Sequence, residues 1–222
     1  MTVRREVTVT VDAVRLPGDL RVPDDAIGIV VFAHGSGSSR TSPRNALVAG
    51  RLHEARIGTL LFDLLTPAEA EDRARVFDVE LLGRRLVAAV RWLRTAREVD
   101  PSLPIAFFGA STGAAGALIA AAELGSTVSA IVSRGGRPDL AGEALARVRA
   151  PTLLIVGGAD TDVLALNREA ERRVPGETRL EVVAGATHLF EEAGALEEVA
   201  RLAAEWLGPR LAEAANQHRS VS

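Results

Sequence analysis

Ile105-Ala106-Phe107-Phe108-Gly109-Ala110-Ser111-Thr112-Gly113-Ala114-Ala115-Gly116 decides the fold. Apolar residues run up to Phe108, a serine stands between two glycines, and a small-residue stretch follows from Ala114 to Leu124. The order is strand, sharp turn, helix, in the pattern G-x-S-x-G. Such a turn holds its serine in a strained backbone conformation and lifts the hydroxyl above the strand end. Side chains two residues before and two after the serine would collide as the strand folds back into the helix, and Gly109 and Gly113 remove them. The pattern also fits a turn that cradles a phosphate at a helix N-terminus. The serine therefore needs partners before its chemistry is settled.

Outward from this turn, strand and helix patterns alternate. Residues 3–16 and 20–22 predict an N-terminal hairpin turning at Pro17-Gly18-Asp19. Further strands are expected at 28–33, 59–64, 104–108, 128–132, 152–156 and 180–183. Helices are expected at 45–55, 75–96, 140–147, 163–173 and 192–207. Continuous apolar strands alternating with helices imply an α/β fold, a mostly parallel, doubly wound sheet of about eight strands covered on both faces. Residues 1–209 form a single expected domain, and 210–222, ending His218-Arg219-Ser220-Val221-Ser222, an expected polar tail.

Composition narrows the function classes. The chain has 222 residues, 47% of them hydrophobic, enough for one sizeable core. A formal charge of −3 gives no push toward nucleic acid or an anionic membrane. The chain has no cysteine, hence no disulfide frame, thiolate metal site or cysteine nucleophile. Thr2-Val3-Arg4-Arg5-Glu6-Val7 leads into no apolar segment of signal-peptide length, and no apolar run reaches the roughly 20 residues of a membrane span. The expectation is a cytoplasmic protein, monomer or homodimer, acting on a small molecule without metal or organic cofactor.

An activated serine needs a base, and the base needs an orienting carboxylate. Of the four histidines, His218 lies in the tail, His53 between Leu52 and Glu54 on a helix, and His34 ahead of Gly35-Ser36-Gly37. His188, in Gly185-Ala186-Thr187-His188-Leu189-Phe190 after the last strand, is placed to reach across the strand ends to Ser111. The acid belongs on another strand-end loop, between serine and histidine in chain order. Asp160, in Gly157-Gly158-Ala159-Asp160-Thr161-Asp162, fits. Its rival Asp162 lies further from the strand end and also suits a helix N-cap.

With these motifs assembled, the chain resembles the α/β-hydrolases of the dienelactone hydrolase-like branch. The matching stretches are His34-Gly35-Ser36-Gly37, Gly109-Ala110-Ser111-Thr112-Gly113, Gly158-Ala159-Asp160 and Ala186-Thr187-His188, in the family order Ser, Asp, His. Dienelactone hydrolases proper use a cysteine nucleophile, so the resemblance is to the serine esterase members. Similar domains also occur beside phosphoribosyltransferase domains. The resemblance implies an oxyanion hole built from the backbone N–H of Thr112 and a donor at Ser36 or Gly37, with His34 holding that loop in shape. It implies cleavage of small soluble carboxylic esters. The same residues would serve an acyltransferase or perhydrolase, and a non-catalytic binding module on this fold is the remaining alternative.

The stretch Ser133-Arg134-Gly135-Gly136-Arg137-Pro138-Asp139 is too short for a lid domain after the sixth strand, so an open site is expected. Arginines gather in strand-end loops at Arg40, Arg44, Arg134 and Arg137. Arg134, Arg137 or Arg40 is a candidate for an anionic part of the substrate. A salt bridge, for Arg137 with Asp139, is the plainer role. Asp63, at the end of a strand, is expected to make a structural hydrogen bond.

Overall fold

In the computed structural model, which describes residues 2–11 and 13–221, the chain opens with strands β1 (Thr2–Val11) and β2 (Val14–Pro23). Next come β3 (Ile29–Ala33), α1 (Pro43–Glu54) and β4 (Gly58–Phe62), then three helices, α2 (Pro67–Glu71), α3 (Arg73–Val76) and α4 (Val79–Leu93). The elbow lies between β5 (Ile105–Ala110) and α5 (Thr112–Leu124). It is followed by β6 (Val128–Arg134), a 3₁₀ segment (Pro138–Arg147), β7 (Thr152–Gly157), α6 (Thr161–Arg173), β8 (Thr178–Val183) and α7 (Ala195–Val221).

The eight strands form one sheet in the order β1-β2-β4-β3-β5-β6-β7-β8. β1 pairs antiparallel with β2 and β2 antiparallel with β4, and every pairing from β4 to β8 is parallel. The parallel strands explain the unbroken apolar runs. Side chains alternate between faces, so Phe107 packs with α4 and α5 while Phe108 packs with α1 and α7. All five residues of β3 and all six of β5 and β7 are buried. The C-terminal ends of β3, β5, β7 and β8 share one edge of the sheet, where the four loops carrying the expected site residues converge.

Three expectations need correction. The hairpin reverses between Val11 and Val14, not at Pro17-Gly18-Asp19, which pair within β2. Pro17 escapes the cost of a missing N–H because β2 pairs with β4 only from Gly18 onward. Its carbonyl, on that same side, accepts from Asp63 N–H at 3.0 Å. The helix expected at 75–96 is broken into α3 and α4, preceded by α2, each opened by a side-chain cap on Thr66, Asp72 or Asp78. The tail expected from residue 210 continues α7 through Pro209 instead. That proline removes a single bond to the Glu205 carbonyl, and Leu211 beyond it is fully buried against the α1/α7 face of the sheet.

Candidate active site

Ser111 occupies the bend with φ 50° and ψ −122°, a left-handed conformation unusual for a residue with a side chain. The neighbouring strand over-determines it: Ser111 N–H donates to the Arg134 carbonyl at 3.2 Å, and the Ser111 carbonyl accepts from Arg137 and Ala114, both at 3.1 Å. The elbow glycines are close-approach residues. A Cβ on Gly113 would lie 2.2 Å from the Ala33 carbonyl oxygen of β3, and one on Gly109 would lie 2.4 Å from Cα of Ala114.

Three strand ends bring Ser111, His188 and Asp160 into one hydrogen-bonded row. Ser111 Oγ lies 3.3 Å from His188 Nε2, and His188 Nδ1 lies 2.7 Å from Asp160 Oδ2. A carboxylate only accepts, so Nδ1 carries the proton and Nε2 faces the serine as an acceptor. His188 keeps 38% of its side chain exposed and Asp160 only 16%, so the imidazole is the more solvent-accessible member of the pair. The β7 and β8 loops are laced together. Ala159 N–H donates to the Ala186 carbonyl at 2.9 Å, an approach that requires Gly157, whose Cβ would stand 2.3 Å from that oxygen.

Asp160 is also the N-cap residue of α6, but its carboxylate makes no cap bond and goes to His188 instead. Asp162 lies inside the first turn of α6 and is exposed, so it is not the cap that its position suggested. Its charge there complements the helix dipole.

On the other side of Ser111, the loop after β3 is held by His34. The Leu64 N–H donates to His34 Nε2 at 3.0 Å, which places the ring proton on Nδ1, where it meets the Gly35 carbonyl at 3.1 Å. Burial lowers the pKa of His34 and keeps it neutral for this bridging role. Ser38 N–H closes a turn onto the Gly35 carbonyl at 3.2 Å, with Gly37 at φ 69° in its third position. Ser36 N–H donates to Thr112 Oγ1 at 3.0 Å. Thr112 itself opens α5, where first-turn N–H groups have no acceptor within the helix.

The arginines divide. Arg40 is bound to Asp63 through its own N–H at 2.7 Å and its guanidinium at 2.8 Å, with Asp19 3.4 Å away. Arg137 forms a two-pronged pair with Asp139 at 2.8 and 2.7 Å. Arg134 is buried, lies over the Phe190 ring at 5.8 Å, and is pushed down to about 10 by burial and then by the charge of Arg44. Arg44 faces Glu191 at 3.6 Å. A cavity of about 530 Å³ opens beside Thr112 and the 34–39 loop, bounded by Arg40 and Asp63 and by an apolar wall of Leu65, Pro67, Ala70, Val76 and Leu82. Arg134 and Arg137 are not among its lining residues. Sequence reasoning missed this wall because it read α3 and α4 as one helix. The capping box Thr66-Pro67-Ala68-Glu69 was the available signal.

A crystal structure of a dienelactone hydrolase from Anabaena variabilis superimposes with a TM-score of 0.89 at 52% identity, over 93% of this chain and 97% of that one. The chain belongs to the dienelactone hydrolase family. Est1E from Butyrivibrio proteoclasticus shares the fold, with a TM-score of 0.78 at 16% identity over 93% of this chain and 99% of that one. Proteins from two strains of Mycobacterium tuberculosis, each named "Putative phosphoribosyl transferase", are 58% identical over 201 residues, 90% of this chain. The chain spans 45% of the length of these curated relatives. No protein-family model matches it. Among the described residues, no helix of this dienelactone hydrolase-family chain is long and apolar enough to cross a membrane.

Proposed function

We propose that the chain is a serine hydrolase of small soluble carboxylic esters, acting through an acyl-Ser111 intermediate. The observation that carries the reading is the row from Ser111 Oγ through His188 to Asp160, at 3.3 and 2.7 Å. Asp160 fixes the tautomer in which Nε2 is free to accept. As Ser111 Oγ attacks the ester carbonyl carbon, its proton passes to His188 Nε2 and the carbonyl electron pair moves onto oxygen. The N–H groups of Thr112 and Ser36 are the donors for that oxyanion, each worth roughly 3 kcal/mol in reactions of this type. Gly37 forms the turn that presents Ser36. Until substrate arrives, Thr112 Oγ1 occupies the Ser36 donor.

The intermediate then collapses. The ester C–O bond breaks, and His188 gives the proton to the departing alkoxide. Water attacks the acyl carbon with His188 again as base, the acid leaves, and Ser111 regains its proton. The Anabaena relative carries the name of a dienelactone hydrolase; the present chain offers a serine for ester cleavage. The phosphoribosyl transferase name belongs to proteins of which this chain spans only part, and the hydrolase reading concerns that part.

Rapid mixing with para-nitrophenyl acetate tests the proposal. The expected result is a burst of nitrophenolate close to one equivalent, with an acetyl group on the peptide containing Ser111 after acid quench. Ser111→Ala shows neither. Absence of both adduct and turnover in folded wild type would reject the hydrolase.

A further inference from the structure

We infer that the cavity beside the oxyanion loop is an acyl-binding site, and that it selects uncharged, apolar acyl groups of medium length or a single ring. The inference rests on the serine hydrolase reading above and adds the substrate class.

Direction comes from the proton. His188 Nε2 must reach the oxygen of the leaving group to protonate it, so the alcohol part of the ester lies on the His188 side of Ser111. The cavity is lined by Thr112 and the 34–39 loop, the two segments that carry the proposed oxyanion donors, and neither His188 nor Ser111 is among its lining residues. An ester bound with its carbonyl oxygen at Ser36 and Thr112 sits at the border of this cavity, and with the alcohol part kept on the His188 side its acyl substituent is the part left to enter it. At about 530 Å³ the space exceeds the needs of an acetyl group and falls in the usual range of small-molecule sites.

Selectivity comes from the wall. Its charged members, Arg40 and Asp63, are hydrogen-bonded to each other, so neither charge is left over for a ligand. The rest of the far wall is apolar: Leu65, Pro67, Ala70, Val76 and Leu82. The arginines that could have met an anion are elsewhere, Arg137 on Asp139 and Arg134 over the Phe190 ring. A carboxylate carried into this space would lose hydration and find no free cation.

The wall is also fixed in place. α2 is tied back through Glu69, which accepts from Thr66 N–H at 2.9 Å and pairs with buried Arg85 of α4 at 2.9 Å. The cavity is thus built before substrate arrives.

The test compares para-nitrophenyl esters of acetate, of hexanoate, and of the half-ester of adipate, which matches hexanoate in length but ends in a carboxylate. Wild type is expected to favour hexanoate over the adipate half-ester by about a hundredfold in kcat/KM. Ala70→Trp, at an exposed helical position on the cavity rim, is expected to lower the hexanoate-to-acetate ratio by about tenfold. Asp63→Asn keeps an oxygen for Arg40 N–H but releases the guanidinium, and is expected to narrow the hexanoate preference by about fivefold. Equal rates on hexanoate and the adipate half-ester, with acetyl-Ser111 still formed, would overturn the inference and leave the hydrolase standing. An Ala70→Trp protein with a native melting curve and an unaltered hexanoate-to-acetate ratio would also overturn it. Absence of acetyl-Ser111 together with absence of turnover would remove both readings.

Discussion

The two loops that flank Ser111 are built for opposite purposes. The loop after β8 is closed and cross-braced: His188 is held by Asp160, Ala186 by Ala159, and Thr187 by Glu192 at 3.1 and 2.6 Å. The loop after β3 is tied at its root by His34, at Ser36 by Thr112 and at its far end by the Arg40–Asp63 pair, and between these ties it borders open space. On the proposed reading, one side would fix the position of a proton and the other would leave room for a substrate. Chemistry that tolerates errors of only a fraction of an ångström needs the first kind of loop, and a variable acyl group needs the second.

The change expected to break both sides at once is Gly113→Ala. Its Cβ would stand 2.2 Å from the Ala33 oxygen and 2.5 Å from the His34 oxygen, so β3 and α5 must separate. A loss of about 4 kcal/mol or more is expected in denaturant unfolding, or no folded protein at all. Asp160→Asn breaks the closed side alone. It leaves the shape but disturbs the tautomer, and kcat is expected to fall by about 10⁴ with a native melting curve. Asp162→Asn is the matching control, expected to stay within about twofold because that side chain is exposed on α6.

Thr112→Val reaches the open side more gently. It removes the hydroxyl that holds the Ser36 N–H until substrate arrives, a bond worth about 1 kcal/mol, so kcat/KM should rise by up to about fivefold. An effect on stability alone, and absent at neutral pH, lies remote from both loops. His53 donates or accepts at Thr59 Oγ1, 2.8 Å away, and its pKa is lowered from 6.5 to about 4, first by burial and then by the charge of Arg21. Between those values the unfolded chain takes up a proton that the folded chain refuses. Stability is therefore full above about pH 6.5 and falls as pH drops toward about 4. His53→Gln should flatten that part of a plot of Tm against pH.

The same contrast explains what was legible in the sequence. The closed side could be read because its geometry demands particular residues: glycines where backbones touch, a serine at the bend, and Asp160 and His188 in the order the fold imposes. The parallel strands were legible for a related reason, since burial on both faces leaves continuous apolar runs such as Ile29 to Ala33. The cavity was not legible, because Leu65, Ala70, Val76 and Leu82 are ordinary apolar residues whose meeting depends on two breaks between helices. Of the arginines, Arg137 pairs with Asp139 two residues on, the plainer role its sequence suggested, whereas Arg40 meets Asp63 from a loop 23 residues away, a pairing set by β3 and β4 lying side by side. Pro17-Gly18 misled because a turn signal was overridden by strand pairing on both sides of β2.

The central claim is that His188 activates Ser111, and fluorophosphonate labelling tests it most directly. Wild type should be labelled at Ser111, as read by peptide mass spectrometry. Labelling should be lost in a His188→Ala protein that melts like wild type. Labelling of both proteins at equal rates, or of neither, would contradict the account.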